Sequence, residues 1–187
     1  MVKRLVIIFS ILVGLVSICI SGCETQEQEV KKLIKALQHK NSQVRRAAAG
    51  KLGEIGEDAK DAVPALTIAL QDESRDVRTS VAGALGAIGK SAIDAAPALI
   101  KTLQNPEVRW HAEEALTKIG NGAKDAAPVL IQALKDPEVR DSAAKVLKKI
   151  GTPKALKAVK AYESLIICCI GMGIGYIRQF SQQAFCS

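Results

Sequence analysis

The stretch VRWHAEEALTKIG, residues 108–120, holds the residue types that catalysis uses most often. It places the only tryptophan of the chain, Trp110, beside His111, and two glutamates, Glu113 and Glu114, follow directly. Imidazole and carboxylate groups serve as metal ligands and as general acids or bases, and an aromatic ring supplies an apolar wall. The stretch is therefore either a catalytic site or one unit of a repeated pattern.

The repeated pattern is clear, because Val-Arg, Leu and Ile-Gly recur at the same offsets in four places. The copies are VRRAAAGKLGEIG from Val44, VRTSVAGALGAIG from Val77, VRWHAEEALTKIG from Val108 and VRDSAAKVLKKIG from Val139. Their starts are separated by 33, 31 and 31 residues. Self-similarity at such a period predicts a solenoid of stacked helical units.

Each copy is predicted to be one helix, because its first, fifth, ninth and twelfth residues form an apolar stripe at helical spacing. A good N-cap precedes each copy, namely Asn41, Ser74, Asn105 and Asp136, and a proline opens two of them, Pro106 and Pro137. A glycine closes each copy: Gly56, Gly89, Gly120 and Gly151.

A second helix is predicted before each copy. Three of these helices share the pattern Pro-x-Leu-x-x-x-Leu, starting at Pro64, Pro97 and Pro128, and the first reads EVKKLIKAL. A final helix, TPKALKAVKAYE, follows the fourth copy. Residues 29–163 are therefore predicted to form an all-α domain of four helix pairs plus a terminal helix.

This pattern resembles HEAT repeats, specifically the short HEAT-like type that is also found in phycobilisome lyases. The resemblance implies a right-handed α-α superhelix, in which the first helices form the outer layer and the Val-Arg helices form the inner, concave layer. Members of this family mostly act as scaffolds or binding surfaces, so the resemblance implies binding without identifying the ligand.

The repeat also changes the meaning of His111. Some HEAT-like hydroxylases hold a di-iron centre through several His-Glu pairs, whereas this chain has two histidines, His39 and His111, and neither precedes a glutamate. No glycine-rich phosphate loop or nucleophile elbow occurs either. We therefore expect no enzyme, metal or cofactor.

The N-terminus predicts export. A basic start, MVKR, precedes an apolar run over residues 5–20, and SGC follows, as in a secretory signal peptide. The stretch ISGC resembles the lipobox of bacterial lipoproteins, which implies a signal peptide over 1–22, lipid on Cys23 and a short linker over 23–28. The alternative is an uncleaved anchor helix. By analogy with enterobacterial sorting, Glu24 after the cysteine is compatible with the outer membrane.

Composition supports this interpretation. No cysteine falls within residues 29–163 and no C-x-x-C occurs, so neither a zinc site nor a redox pair is indicated. The formal charge of +7 includes Lys3 and Arg4 of the leader. That mild excess, together with export, argues against nucleic acid as the partner.

The candidate binding residues lie on the face of the Val-Arg helices opposite the apolar stripe, where residue identity varies between copies. They are Arg46, Thr79, Trp110, Glu114, Asp141 and Lys145. Glycines also occur on this face, and they allow close approach either of a partner or of the neighbouring helices. We expect a protein or peptide partner here, with Trp110 as the anchor. The competing interpretations are that Trp110 packs over a neighbouring repeat, or that the protein has an enzyme-like role similar to a bilin lyase.

Three other features leave their alternatives open. The repeated arginines Arg45, Arg78, Arg109 and Arg140 are expected to stabilise the repeats rather than bind an anion. Six lysines between residues 145 and 160 form either the solvated face of a terminal cap or a patch for an acidic partner. Residues 164–187 form an apolar tail to which we assign no function.

Overall fold

The computed structural model describes residues 26–122 and 126–171, and within these ranges the regular structure is entirely helical. The helices are α1 (Gln26–Ala36), α2 (Ser42–Ile55), α3 (Val63–Ala69), α4 (Arg75–Ile88), α5 (Ala96–Thr102), α6 (Arg109–Gly122), α7 (Ala126–Ala133), α8 (Arg140–Ile150) and α9 (Pro153–Gly171). Short 3-10 segments, Gly56–Ala62 and Gly89–Ala95, lead into α3 and α5. The prediction of four helix pairs plus a terminal helix is confirmed.

The pairs stack as a HEAT-like solenoid of two layers. The four Val-Arg helices form one layer, since α2 packs against α4, α4 against α6 and α6 against α8. The first helices form the other layer, in which α5 contacts α7 and α7 contacts α9. Helix α9 thus takes the place that the first helix of a fifth pair would occupy.

The apolar stripe of the Val-Arg helices lies between the two layers, as predicted. The leucines at the ninth position, Leu52, Leu85, Leu116 and Leu147, are at most 1% exposed. Val44, Ile55 and Ile150 are only partly buried. These three belong to the first and last copies, which have a neighbouring repeat on one side only.

Three of the four predicted closing glycines end their helices. Gly56, Gly89 and Gly151 have positive φ angles of 68°, 70° and 67°, which glycine adopts without the strain that a Cβ would cause. The prediction for Gly120 is wrong, because α6 continues through it to Gly122. Glycine accepts right-handed helical angles as readily as left-handed ones, so it does not force a helix to end.

Asn41 and Ser74 stand at the N-cap positions of α2 and α4, as predicted, whereas α6 and α8 begin later than predicted, at Arg109 and Arg140. The side chains of Asn41, Asn105 and Asp136 accept hydrogen bonds from the backbone N–H two residues ahead, at 2.8, 3.0 and 2.9 Å. Ser74 makes no side-chain cap; instead its own N–H donates to Asp72 Oδ1 at 2.8 Å. The two prolines expected at the first helical position, residues 106 and 137, lie in turns just before α6 and α8.

The ends of the chain differ from expectation in one respect. Helix α9 runs to Gly171, past residue 163, so the predicted boundary between the terminal helix and the tail falls inside a helix. Cys23 and the leader lie outside the described residues. Among the helices of residues 26–122 and 126–171, none combines the length and apolar character that a bilayer crossing requires.

Candidate functional site

The six candidate binding residues lie on the side of the Val-Arg layer that faces solvent. Arg46, Trp110, Asp141 and Lys145 are exposed, and Thr79 and Glu114 are partly exposed. We call this surface the Trp110 face. Trp110 is the only large apolar side chain among these six residues, and 63% of its surface is open to solvent.

The tryptophan ring is supported on one side. The ring of His111 meets it edge to face, with the centroids 4.8 Å apart and the planes at 87°. His111 is itself partly buried, and its Nδ1 is in the interior without a hydrogen-bond partner. His111 therefore positions Trp110 through packing.

The glycines of the Val-Arg helices divide into two kinds. A Cβ at Gly53 would lie 3.2 Å from Ala84 Cα, and a Cβ at Gly86 would lie 3.0 Å from Ala115 Cα. These two glycines allow neighbouring helices to approach closely. A Cβ at Gly50 or Gly83 would meet nothing within 4 Å, and both glycines are exposed on the Trp110 face.

The terminal helix contacts one edge of the Trp110 face. The hydroxyl of Tyr162 donates a hydrogen bond to Asp141 Oδ1 at 2.7 Å, and Glu163 forms an ion pair with Lys148. Burial and this hydrogen bond together raise the pKa of Tyr162 to about 12, so the phenol stays protonated and remains a donor at neutral pH. One carboxylate oxygen of Asp141 therefore already accepts a hydrogen bond from within the chain.

Sequence reasoning missed a further residue of this region, Glu113. The glutamate is only 8% exposed, and its Oε1 is buried without a hydrogen bond. The nearest cation, Lys145 Nζ on α8, is 4.0 Å from that oxygen. An alignment of the four copies could have identified Glu113 as unusual, because the sixth position is alanine in the other three copies, at residues 49, 82 and 144.

Three of the four repeated arginines, Arg45, Arg78 and Arg109, bind within the solenoid, as expected, whereas Arg140 of the last copy is exposed. Arg45 holds Asp72 with two hydrogen bonds, from Nε to Oδ2 at 2.6 Å and from Nη2 to Oδ1 at 2.8 Å. The Arg45 guanidinium holds the pKa of Asp72 below its usual value. Arg78 donates to the carbonyl of Asp72 at 2.8 Å, and Arg109 donates to the carbonyl of Leu103 at 2.8 Å.

A cleft of about 500 Å³ lies at the edge of the solenoid between the second and third repeats. Its polar lining includes Asp72, Arg78, Lys101 and Asn105. The first two of these side chains are already occupied by the arginine contacts of the repeats. Within residues 26–122 and 126–171, no three His, Cys, Asp or Glu side chains are grouped as metal ligands would be.

Comparison with known proteins agrees with this architecture. The HEAT-repeat family matches the chain twice, over residues 30–116 and 96–163. The chain belongs to the HEAT-repeat family, whose helical solenoids are typically scaffolds.

Three similar solved structures are engineered proteins determined by the Northeast Structural Genomics Consortium. The first is 30% identical with a TM-score of 0.56, over 73% of this chain and 68% of that one. The second is 27% identical with a TM-score of 0.55, over 77% of this chain and 43% of that one, so the match spans less than half of its length. The third is 26% identical with a TM-score of 0.58, over 73% and 70%. No protein of curated function matches the sequence significantly.

Proposed function

We propose that this protein is a lipid-anchored, extracytoplasmic HEAT-repeat scaffold that binds a protein or peptide partner through the Trp110 face. The observation that carries the proposal is the 63% exposure of Trp110 on a face whose residues vary between repeats. An exposed indole costs solubility and contributes little to folding, whereas a broad, rigid ring buries much surface in an interface.

The two open glycines support a partner at this face. A glycine within a helix costs about 1 kcal/mol relative to alanine. Gly53 and Gly86 offset that cost through close helix packing, but a Cβ at Gly50 or Gly83 would contact nothing. A partner backbone that approaches the Trp110 face closely at these two positions would account for the absence of a side chain there.

The charges around the tryptophan define the kind of partner. Arg46, Glu114, Asp141 and Lys145 place both signs on one face. A surface of mixed sign suits a polar peptide segment better than a polyanion, because a polyanion needs a continuous positive field.

The lipid anchor is inferred from the leader and from Cys23. Helix α1 begins at Gln26, so only Glu24 and Thr25 separate the cysteine from the solenoid. A lipid at Cys23 would therefore hold the first repeat close to the bilayer surface, and the partner would be recruited there.

Affinity capture from detergent-solubilised membranes tests the binding function. Trp110→Ala is compared with Ile68→Ala, which removes a 78% exposed apolar side chain from the other layer. We expect Trp110→Ala to lose the captured partner while Ile68→Ala keeps it, with melting temperatures close to wild type in both. If Trp110→Ala still captures the partner, the proposal that the Trp110 face binds it is wrong.

A further inference from the structure

The third repeat departs from the others at two neighbouring places on α6. Trp110 stands where the other copies have polar residues, and Glu113 stands where they have alanine. Residues three apart on a helix are neighbours on its surface. The exposed ring and the buried carboxylate therefore lie side by side, although one faces solvent and the other faces the boundary with α8.

The boundary between α6 and α8 is also built differently from those before it. Gly53 and Gly86 let α2 approach α4 and α4 approach α6, but the equivalent residue of α6 is Thr117. The Thr117 hydroxyl donates to the carbonyl of Glu113 at 2.7 Å. We call the part of the helix boundary formed by Glu113 and Thr117 on α6 and Lys145 on α8 the α6–α8 seam.

Glu113 is a costly residue for a structural role. Its side chain is 11% exposed, and its buried Oε1 has no donor within hydrogen-bond distance. Lys145 Nζ stays 4.0 Å away while its own side chain is 65% exposed. A buried carboxylate oxygen without a hydrogen bond destabilises the fold, and the other three repeats have alanine at this position.

We propose that the α6–α8 seam, together with Trp110, binds an arginine side chain of the partner, an inference that rests on the proposed binding function. A guanidinium group is planar, so it stacks on the indole face while its N–H groups donate to the Glu113 carboxylate. In the free protein Lys145 Nζ lies 4.0 Å from Glu113 Oε1, and it gives way to the guanidinium because its long side chain is largely in solvent. An ammonium group is a weaker fit, because Lys145 already supplies one and leaves Oε1 without a hydrogen bond.

The single tryptophan gives a direct readout. Fluorescence of the full chain in detergent micelles is followed during titration with acetyl-Ala-Arg-Ala-amide, and acetyl-Ala-Gln-Ala-amide serves as the matched neutral peptide. We expect saturable quenching by the arginine peptide in the millimolar range, as for a ligand with one anchoring side chain. Equal responses to the two peptides would overturn the proposal.

Variants then test the carboxylate. Glu113→Gln keeps the size and removes the charge, and we expect affinity for the arginine peptide to fall about tenfold. Glu57→Gln, which alters an exposed carboxylate in the 3-10 segment before α3 that pairs with Lys90 at 3.1 Å, is expected to bind like wild type. Lys145→Met removes the ammonium group nearest to Glu113, and this variant is expected to bind the arginine peptide at least as tightly as wild type. Unchanged affinity in Glu113→Gln would contradict the assignment.

Thermal stability separates a binding role from a structural one. We expect Glu113→Ala to melt at or above the wild-type temperature, because the fold accepts alanine at this position elsewhere. A lower melting temperature would show that Glu113 stabilises the seam and would overturn the proposal. If Trp110→Ala abolishes partner capture but the arginine peptide does not bind, the binding face stands and only the arginine assignment fails.

Discussion

At the scale of single residues, two glycines one helical turn apart on α4 have opposite surroundings. Gly83 faces open space on the Trp110 face, and Gly86 faces the backbone of Ala115 on α6. The sequence shows both as small residues inside a helix and does not separate them. The distinction depends on which side of the helix the next repeat covers.

Substitution by alanine is expected to act in opposite directions at these two sites. Gly83→Ala gains helix propensity without a clash and is expected to raise the free energy of unfolding by about 0.5–1 kcal/mol. Gly86→Ala puts a Cβ 3.0 Å from Ala115 Cα, so the helices must separate, at a cost of about 1–3 kcal/mol. Urea denaturation of the two variants measures both changes in the free energy of unfolding. Changes of the same sign would show that the helix faces are assigned wrongly.

Leucine truncation tests the apolar stripe in the same way. Leu116 is 1% exposed in the centre of the stripe, and Leu116→Ala is expected to cost about 2–5 kcal/mol because it leaves a cavity. Leu156 on α9 is 40% exposed, and Leu156→Ala is expected to change stability by about 0.5 kcal/mol or less, as at ordinary surface sites. Comparable losses in the two variants would contradict the layer arrangement.

At the scale of the elements, Arg45 and Arg78 link consecutive repeats, and the second link leaves one guanidinium nitrogen without a partner. Arg45 pairs through Nε and Nη2 with Asp72. One repeat later, Arg78 pairs through Nη2 with Glu107 Oε2 at 2.7 Å, while its buried Nε has no acceptor. Asn105 lines the same cleft as Arg78, but its side chain is a neutral amide whose oxygen already accepts from the N–H of Glu107 in the turn before α6.

A carboxylate at position 105 is expected to complete the second link. Asn105→Asp should raise the melting temperature at neutral pH, and Asp72→Asn should lower it. The Arg45 hydrogen bonds lower the folded pKa of Asp72 below its unfolded value, so this stabilisation is present above about pH 4 and is lost as the pH falls through the folded pKa. Calorimetry at neutral and acidic pH checks both variants, and a gain from Asn105→Asp that persists at about pH 2 would rule out the ionic explanation.

The elements could be predicted because each copy carries its own signals in sequence. Periodicity located the helix pairs, and Asn41 and Gly56 marked helix ends by side-chain chemistry and backbone freedom. The features that could not be predicted depend on how the helices pack against one another. Gly120 stays inside α6, and the depth of Glu113 follows from the packing of α8 against α6. The bond between Tyr162 and Asp141 joins residues 21 positions apart, which no local pattern shows.

At the scale of the whole molecule, the C-terminal end of the solenoid is covered by a terminal helix. At the C-terminal end, α9 covers the last pair, and Tyr162 and Val159 are buried there. Basic residues of both helices lie on the outside, where Lys148 and Lys149 of α8 and Lys154, Lys157 and Lys160 of α9 are exposed. Pairing of Lys148 with Glu163 fits the interpretation of these lysines as the solvated surface of a terminal cap.

The N-terminal end is where the proposed anchor joins the fold, and it yields the last prediction. If Cys23 carries lipid, intact-mass measurement should show a mature chain that starts at Cys23 and carries acyl groups. Cys23→Ala should accumulate as an unprocessed precursor, because it has no thiol to receive the lipid that marks the cleavage site. The repeats should keep the wild-type melting transition, since α1 starts at Gln26 and the core of the described residues begins at Val30. An unmodified Cys23, or a mature chain that starts elsewhere, would contradict the lipid anchor. Of the proposed function, only partner binding through the Trp110 face would then remain.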